Sequence, residues 1–289
     1  MAVAVVTDST AYLPAELVGG ITVVPLTVVI AGVEGAEGEQ VGPAEVAAAL
    51  AERGVPVTTS RPAPAHFVRT YRDLLADGAD GVVSVHLSAE LSGTYEAATL
   101  AAAEVGAGQV AVVDSRSTGM GLGFCALAAA RAAAAGGDLT TVAGAAAAAA
   151  AATTTFFYVD TLEFLRRGGR ISAASALLGT ALSVKPILYV ADGAIAARDK
   201  VRTASRALDR LVDLAVTAAA DGTVDVAVHH LSAPQRARDV GEALAQRLGA
   251  KLRHRFTSEV GAVVAAHVGP GLVGVVVHRV DESHTTSPV

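Results

Sequence analysis

Short runs of β-branched residues alternate with longer alanine-rich stretches along this chain. The strand-like runs are Val3–Thr7, Ile21–Ile30, Gly81–His86 and Gln109–Asp114. Between them lie Pro43–Arg53, Pro64–Ala76, Ser92–Glu104 and Gly119–Ala135, which read as helices. Alternating strand-length and helix-length patterns build βα units, and βα units build a largely parallel sheet covered by helices. Pro43 and Pro64 suit first-turn positions, where a missing N–H costs little. In Pro64–Ala76, the residues Phe67, Tyr71, Leu74 and Leu75 recur at helical spacing and make one apolar face.

The pattern changes near "FFYVDTLEFLRRGGRISAA", where a second unit begins. In "VKPILYVADGAIAARDKVRT" the pair Asp192-Gly193 between extended runs reads as a tight hairpin turn. A helix over Thr203–Ala219, a strand over Val224–His229, a helix over Ala233–Leu248 and strands over Lys251–Phe256 and Leu272–His278 follow. The fold class expected is therefore α/β in two domains. An N-terminal parallel-sheet domain spans 1–155, a C-terminal domain with a mixed sheet spans 156–280, and the polar tail 281–289 is expected to be disordered.

At 289 residues the chain has length enough for two such domains, and 52% hydrophobic residues supply a large core. Only 4% are aromatic and Trp is absent, while alanine is used heavily, as in "GAAAAAAAATTT". Such cores pack by close approach of helices. The net charge of −6 argues against a nucleic-acid partner, which calls for a basic face. The alanine tract is too short and too weakly hydrophobic to span a bilayer. The start "MAVAVVTDST" has no basic region ahead of an apolar core, so a cytoplasmic protein without signal peptide is expected. Cys125 is the sole cysteine, which excludes a disulfide or a Cys-based metal site within one chain.

Small polar residues follow the strands of the first half: Asp8, Ser9 and Thr10, then Thr59 and Ser60 after "VPVT", then Ser92, Gly93 and Thr94, then Asp114, Ser115 and Ser117. In an open parallel sheet, ligands bind outside the carboxyl ends of the strands. Four such ends would converge on one crevice, with Ser92 and Gly93 at a helix N-terminus that favours an anion. Helix capping explains the same residue types and suits Asp8, Ser9 and Asp114. The glycines of "GMGLG" lack dinucleotide-binding spacing and read as close helix packing, no Walker A sequence is present, and "HLSAELSG" is not a hydrolase elbow. His229-His230 lacks a third ligand for zinc and reads as a pair of surface histidines at a strand end. Arg170 follows Gly168-Gly169, a pair that lets the backbone turn sharply and bring a guanidinium close to a partner. His267, alone in the apolar "VVAAHVGPGLVGVVV", is either a core histidine that finds one backbone partner at a strand end or a polar contact at the head of an apolar pocket.

Several stretches, taken together and in order, resemble the DegV family: "VVTDSTAYLP", "VTTSRPAPAHF", "LSAELSGTYEAA", "VVDSRSTGMGLG", "VDTLEFLRRGGRIS", "KPILYVADGAI…KVRT" and "AAHVGPGLVGVVV". The resemblance implies that one long-chain fatty acid lies between the domains, with no other cofactor and no metal. It implies a carrier and not an enzyme, one that presents the carboxylate to a dihydroxyacetone-kinase-like fatty acid kinase for conversion to an acyl phosphate. It assigns carboxylate binding to Thr59 and Ser92, and a supporting head-group region to Ser60, Gly93, Thr94, Arg170 and His267. Lys200, Arg202 and Arg206 are a candidate surface for partner docking or head-group contact, and transient contact with a membrane surface fits such a carrier. Arg61 stands where the family commonly has Gln, placing a cation beside the head group or at its mouth. The competing expectation is a serine-dependent acyl hydrolase or acyltransferase using Ser92 and His267.

Overall fold

The computed structural model describes residues 2–52, 54–171 and 184–280. Strands β1 (Ala4–Asp8), β2 (Ile21–Val24), β6 (Val82–His86) and β7 (Val110–Asp114) form a four-stranded parallel sheet in the order β2-β1-β6-β7. Every residue of β6 is buried, as expected for a strand covered on both faces. A six-stranded mixed sheet has the order β10-β9-β8-β13-β11-β12, from β8 (Thr153–Tyr158), β9 (Lys185–Ala191), β10 (Ala194–Val201), β11 (Val224–His230), β12 (Leu252–Glu259) and β13 (Val273–Arg279). All its pairings are antiparallel except β11 with β12. The expected two-domain α/β architecture, a parallel sheet followed by a mixed one, is what the chain adopts.

The layers explain the alanine. Helices α2 (Pro64–Ala76) and α3 (Thr94–Val105) cover the outer face of the parallel sheet. Helices α4 (Met120–Ala134) and α5 (Leu139–Ala151) cover its inner face, and α4 also lies against β8 and β13 of the second sheet. Helices α7 (Ala204–Ala219) and α8 (Pro234–Leu248) close the far side. A helix between two sheets has no solvent face, so it must be apolar all round and thin. Helix α4 meets that demand with Gly121, Gly123, Ala126 and Ala129, all buried. A Cβ on Gly123 would lie 2.9 Å from the Ala11 carbonyl, which accounts for one glycine of "GMGLG" by close packing.

Three expectations need correction. The run Ile21–Ile30 is two strands in different sheets: Pro25 follows β2 and has no N–H to offer, and the chain leaves the parallel sheet there. The second piece, β3 (Thr27–Ile30), joins β4 (Val33–Ala36) and β5 (Val57–Ser60) in a separate antiparallel sheet ordered β4-β3-β5. Thr59 and Ser60 therefore lie within an antiparallel edge strand, not beyond a parallel one. The third concerns His267, which sits on a helix of seven residues, α9 (Ala262–Val268), rather than at a strand end. Helix α9 packs on α1 (Pro43–Ala51), on β3 and β5, and on α6 (Glu163–Arg167), so the small sheet from the first half is roofed by a helix from the end of the chain.

The Asp192-Gly193 turn is present between β9 and β10, with φ of 50° and 85°. Its tip reaches the first domain, where Ser88 Oγ donates to the Gly193 carbonyl at 2.8 Å and Arg116 pairs with Asp192 at 3.2 Å. The tail 281–289 and the apolar segment after Ile171 lie outside the described residues.

The sandwiched layer makes a prediction about size. Ala126→Leu forces an extra isobutyl group between two sheets and should cost about 1–3 kcal/mol or more. Ala147→Leu, on the exposed side of α5, should change stability by less than about 0.5 kcal/mol. Urea melts of the two variants beside the parent check the difference.

Candidate functional site

Between the domains lies a cavity of about 960 Å3, its open mouth included. Leu26, Leu87, Leu91, Phe157, Leu165, Val190, Ile195 and Leu272 give it an apolar wall. Val190 and Ile195 come from the β9–β10 hairpin, so the same hairpin that touches the first domain forms one side of the cavity.

The polar residues at one end come from distant parts of the chain. Thr59 Oγ1 and His267 Nε2 are 2.8 Å apart, joining β5 to α9. Ser92 lies just ahead of α3; its Oγ is 2.9 Å from Thr94 Oγ1 and accepts from the Thr94 N–H at 3.3 Å. Gly93 is the residue before the first turn of α3, and Thr94 is buried. Arg170 Nε donates to the Leu91 carbonyl at 3.2 Å, and its Nη1 donates to Gly168. Ser60 and Arg61 stand at the cavity's exposed rim. The structure thus brings Thr59, Ser60, Ser92, Arg170 and His267 to the wall of one cavity. Lys200, Arg202 and Arg206 are exposed residues of the β10–α7 edge and are not among the residues that line it.

Glycine makes the cluster compact. A Cβ on Gly168 would lie 2.3 Å from His267 Nδ1, so the imidazole rests directly on the Gly168 backbone. Gly169, at φ 73°, supplies the sharp turn that sends Arg170 back toward the cavity. Burial lowers the His267 pKa to about 4, and the Arg170 cation pushes the same way, so the ring is neutral at pH 7. Among the described residues its buried Nδ1 has no hydrogen-bond partner, and no carboxylate orients the ring. Ser92 makes no hydrogen bond to His267 among the described residues; its hydroxyl meets Thr94 instead.

Residues that sequence reading missed hold α9 in place. Glu37 is 5% exposed and accepts from the Val263 N–H at 2.7 Å, from Tyr12 Oη at 3.1 Å and from Ser9 Oγ. Burial pushes the Glu37 carboxyl up, while these donors favour its ionised form. Tyr12 Oη in turn accepts from the Val264 N–H at 3.2 Å. Nothing local in "EGAEGEQ" signals this role, because the partner lies 226 residues away. His229 is a further correction: it is buried, not on the surface. Its Nε2 accepts from the Met120 N–H at 2.9 Å, at the start of α4, and it lines the cavity's inner end with Thr118 and Thr155.

A family model described as "Uncharacterised protein, DegV family" matches residues 2–280. The chain belongs to the DegV family. A DegV domain-containing protein of Streptomyces coelicolor is 54% identical over 277 residues, covering 95% of this chain and 98% of that protein. Among solved structures, the fatty-acid-binding DegV family protein from Thermus thermophilus is 34% identical with a TM-score of 0.88, covering 97% of this chain and all of the other. DegV from Bacillus subtilis, a fatty acid binding protein, is 31% identical with a TM-score of 0.87 and covers 97% of this chain. Among the described residues of this DegV family member, no helix is long and apolar enough to cross a membrane.

Buried neutral histidines give the fold an acid limit. Burial lowers His229, His267 and His278 from the ordinary 6.5 to about 4. The unfolded chain therefore takes up protons first, so stability held above pH 6.5 is lost as the pH falls toward 4. Each shift corresponds to stability on the order of 3 kcal/mol. The thermal midpoint of the ligand-free protein should drop across this window, and His267→Gln should flatten the drop. Identical slopes for parent and variant would contradict the buried neutral ring.

Proposed function

We propose that this chain binds one long-chain fatty acid in the cavity between its domains and carries it without chemically altering it. The observation that carries the reading is the division of the cavity: an apolar wall, with Thr59, Ser92, His267 and Arg170 gathered at one end. A buried methylene contributes about 0.8 kcal/mol, so roughly sixteen carbons would supply on the order of ten kcal/mol before association costs. The tail then provides affinity and the head group sets orientation. A carboxylate left unpaired in such a site would cancel much of that gain.

The hydroxyl–imidazole pair fits a carboxylate when the imidazole proton is on Nε2. His267 then donates to Thr59 Oγ1, and the threonine keeps its own proton for the ligand. In the other tautomer, Thr59 would spend its proton on Nε2 and a buried Nδ1–H would have no acceptor. An unpaired buried N–H is the costlier defect, so the first tautomer is favoured. Ser92 supplies the second hydroxyl beside the start of α3, and the cation of Arg170 lies behind both. The mouth beside them is open: the side chains of Ser60 and Arg61 are exposed.

An open mouth with a fixed carboxylate is what a group-transferring partner needs. We assign that partner, as the family resemblance suggests, to a separate dihydroxyacetone-kinase-like fatty acid kinase that forms the acyl phosphate. The exposed Lys200, Arg202 and Arg206 lie clear of the cavity and remain the docking surface to test.

Mass spectrometry of an organic extract of the purified protein should find one fatty acid per chain. A repeated blank, together with no uptake of added palmitate or oleate, overturns the reading. Thr59→Val should weaken palmitate binding about tenfold or more, as expected for loss of a hydrogen bond to a charged group. Its urea midpoint should change far less, and a calorimetric titration beside the melt separates the two effects.

A further inference from the structure

Arg61 follows Thr59 and Ser60 directly and reaches across the cavity mouth to α3. Its Nη1 donates to the Gly93 carbonyl at 3.2 Å and to Glu96 Oε2 at 2.6 Å. A Cβ on Gly93 would lie 2.2 Å from that nitrogen, so the guanidinium rests against the bare Gly93 backbone. On the other side, Arg170 Nε donates to the Leu91 carbonyl at 3.2 Å. The residues immediately before and after Ser92 thus each accept from a guanidinium, and both guanidiniums line the cavity.

Arg61's partner outside the cavity is a weak one. The side chains of Arg61 and Glu96 are 45% and 67% exposed, so water screens the pair. Exposed pairs of this kind contribute little to stability. An anion at Thr59 and Ser92 would stand in a drier setting, where the same guanidinium interacts more strongly. Arg61 then has two carboxylate partners within reach, one on α3 and one in the cavity, and exchanging them costs little.

We propose that Arg61 is the residue that makes the site select an ionised head group over a neutral lipid of equal length, and that Glu96 competes with the ligand for it. The role rests on the fatty-acid reading and deepens it. Tail burial cannot distinguish an acid from an alcohol with the same chain. The charge at the mouth can, and it makes the preference sensitive to salt.

Palmitate and 1-hexadecanol, titrated separately into delipidated protein by displacement of a fluorescent fatty acid, test this. The parent should prefer the acid, and the preference should shrink with added salt. Arg61→Gln should reduce the acid-to-alcohol preference about three- to tenfold while leaving the alcohol's affinity in place. Arg61→Lys should keep most of the preference. Glu96→Gln should raise it about twofold by removing the competitor. Equal losses for acid and alcohol in Arg61→Gln would mean a purely structural strap and would overturn the proposal, as would an unchanged ratio or a Glu96→Gln variant with a lower one. A parent protein that binds neither lipid overturns the fatty-acid reading and this role together. Binding of both lipids with a ratio indifferent to Arg61 overturns this role alone.

Discussion

A helix of seven residues is pinned at both ends by side chains from the opposite end of the chain. At its start, Glu37 takes the Val263 N–H across 226 residues of sequence, and Tyr12 Oη takes the Val264 N–H. Near its end, His267 meets Thr59 across 208 residues. Seven residues cannot sustain a helix in water by themselves, so α9 exists because these contacts and the surrounding apolar packing fix it. The polar cluster at the cavity wall depends on it in turn, since the same helix presents His267 to Thr59 on β5. Three glycines make the fit possible. A Cβ on Gly261 would lie 2.4 Å from Glu37 Oε1, one on Gly168 would strike the His267 ring, and one on Gly269 would lie 2.1 Å from the Phe164 ring.

The layered architecture determines where a long apolar cavity can open. Helix α4 fills the space between the two sheets with alanine and glycine, and α5 backs it on the parallel sheet with its other side exposed. Beyond the start of α4 the filling stops, and the sheets' facing residues, among them Leu87 and Phe157, border the cavity instead. This lies past the carboxyl ends of β1 and β6, where open parallel sheets collect ligands. The β9–β10 hairpin closes the side through its contacts at Ser88 and Arg116. Small side chains in one layer thus let two sheets come close, and the end of that layer leaves room for the cavity.

What was legible in the sequence was local. Periodicity and prolines marked α1 and α2, and the pair Asp192-Gly193 marked its hairpin, because the backbone conformation of such a turn selects those residues. Ser92 ahead of α3 was legible for the same reason, since small polar residues precede helices. Residues whose position is set by partners far away were not legible. The sequence "AVVAAHV" alternates too weakly to distinguish helix from strand, and only Glu37, Tyr12 and Thr59 decide the matter. Pro25 could equally have sat on an edge strand, and only the pairing of Thr27–Ile30 with β4 and β5 shows that the chain changes sheets there. His229 looked like a surface residue because nothing near it in sequence reveals that Met120 would need an acceptor. The resemblance to a family brought Thr59, Ser92 and His267 into one hypothesis before any geometry was available, which composition and spacing alone did not do.

Comparing two of the fold's hydroxyl–histidine constellations shows what separates structure from function. In the first, Tyr71 Oη donates to Ser84 Oγ at 2.8 Å, Ser84 Oγ stands 2.7 Å from His86 Nε2, and His86 Nδ1 stands 3.0 Å from Asp8 Oδ2. By connectivity this is a complete serine–histidine–aspartate chain, yet Ser84, His86 and Asp8 have no exposure at all. Every hydrogen-bonding group in it has a partner, and Asp8 also takes the N–H groups of Thr10 and Leu87. Such a network ties β1 to β6 and has nothing left to offer a ligand. The second, Thr59 with His267, lacks the carboxylate and leaves Nδ1 unpaired, but it borders a cavity. With the imidazole proton on Nε2, its hydroxyl proton would be left for a guest. An incomplete set of contacts at a cavity wall is the better candidate for binding, because a ligand can supply the missing partner, whereas a saturated set in the core has already spent its donors on the fold.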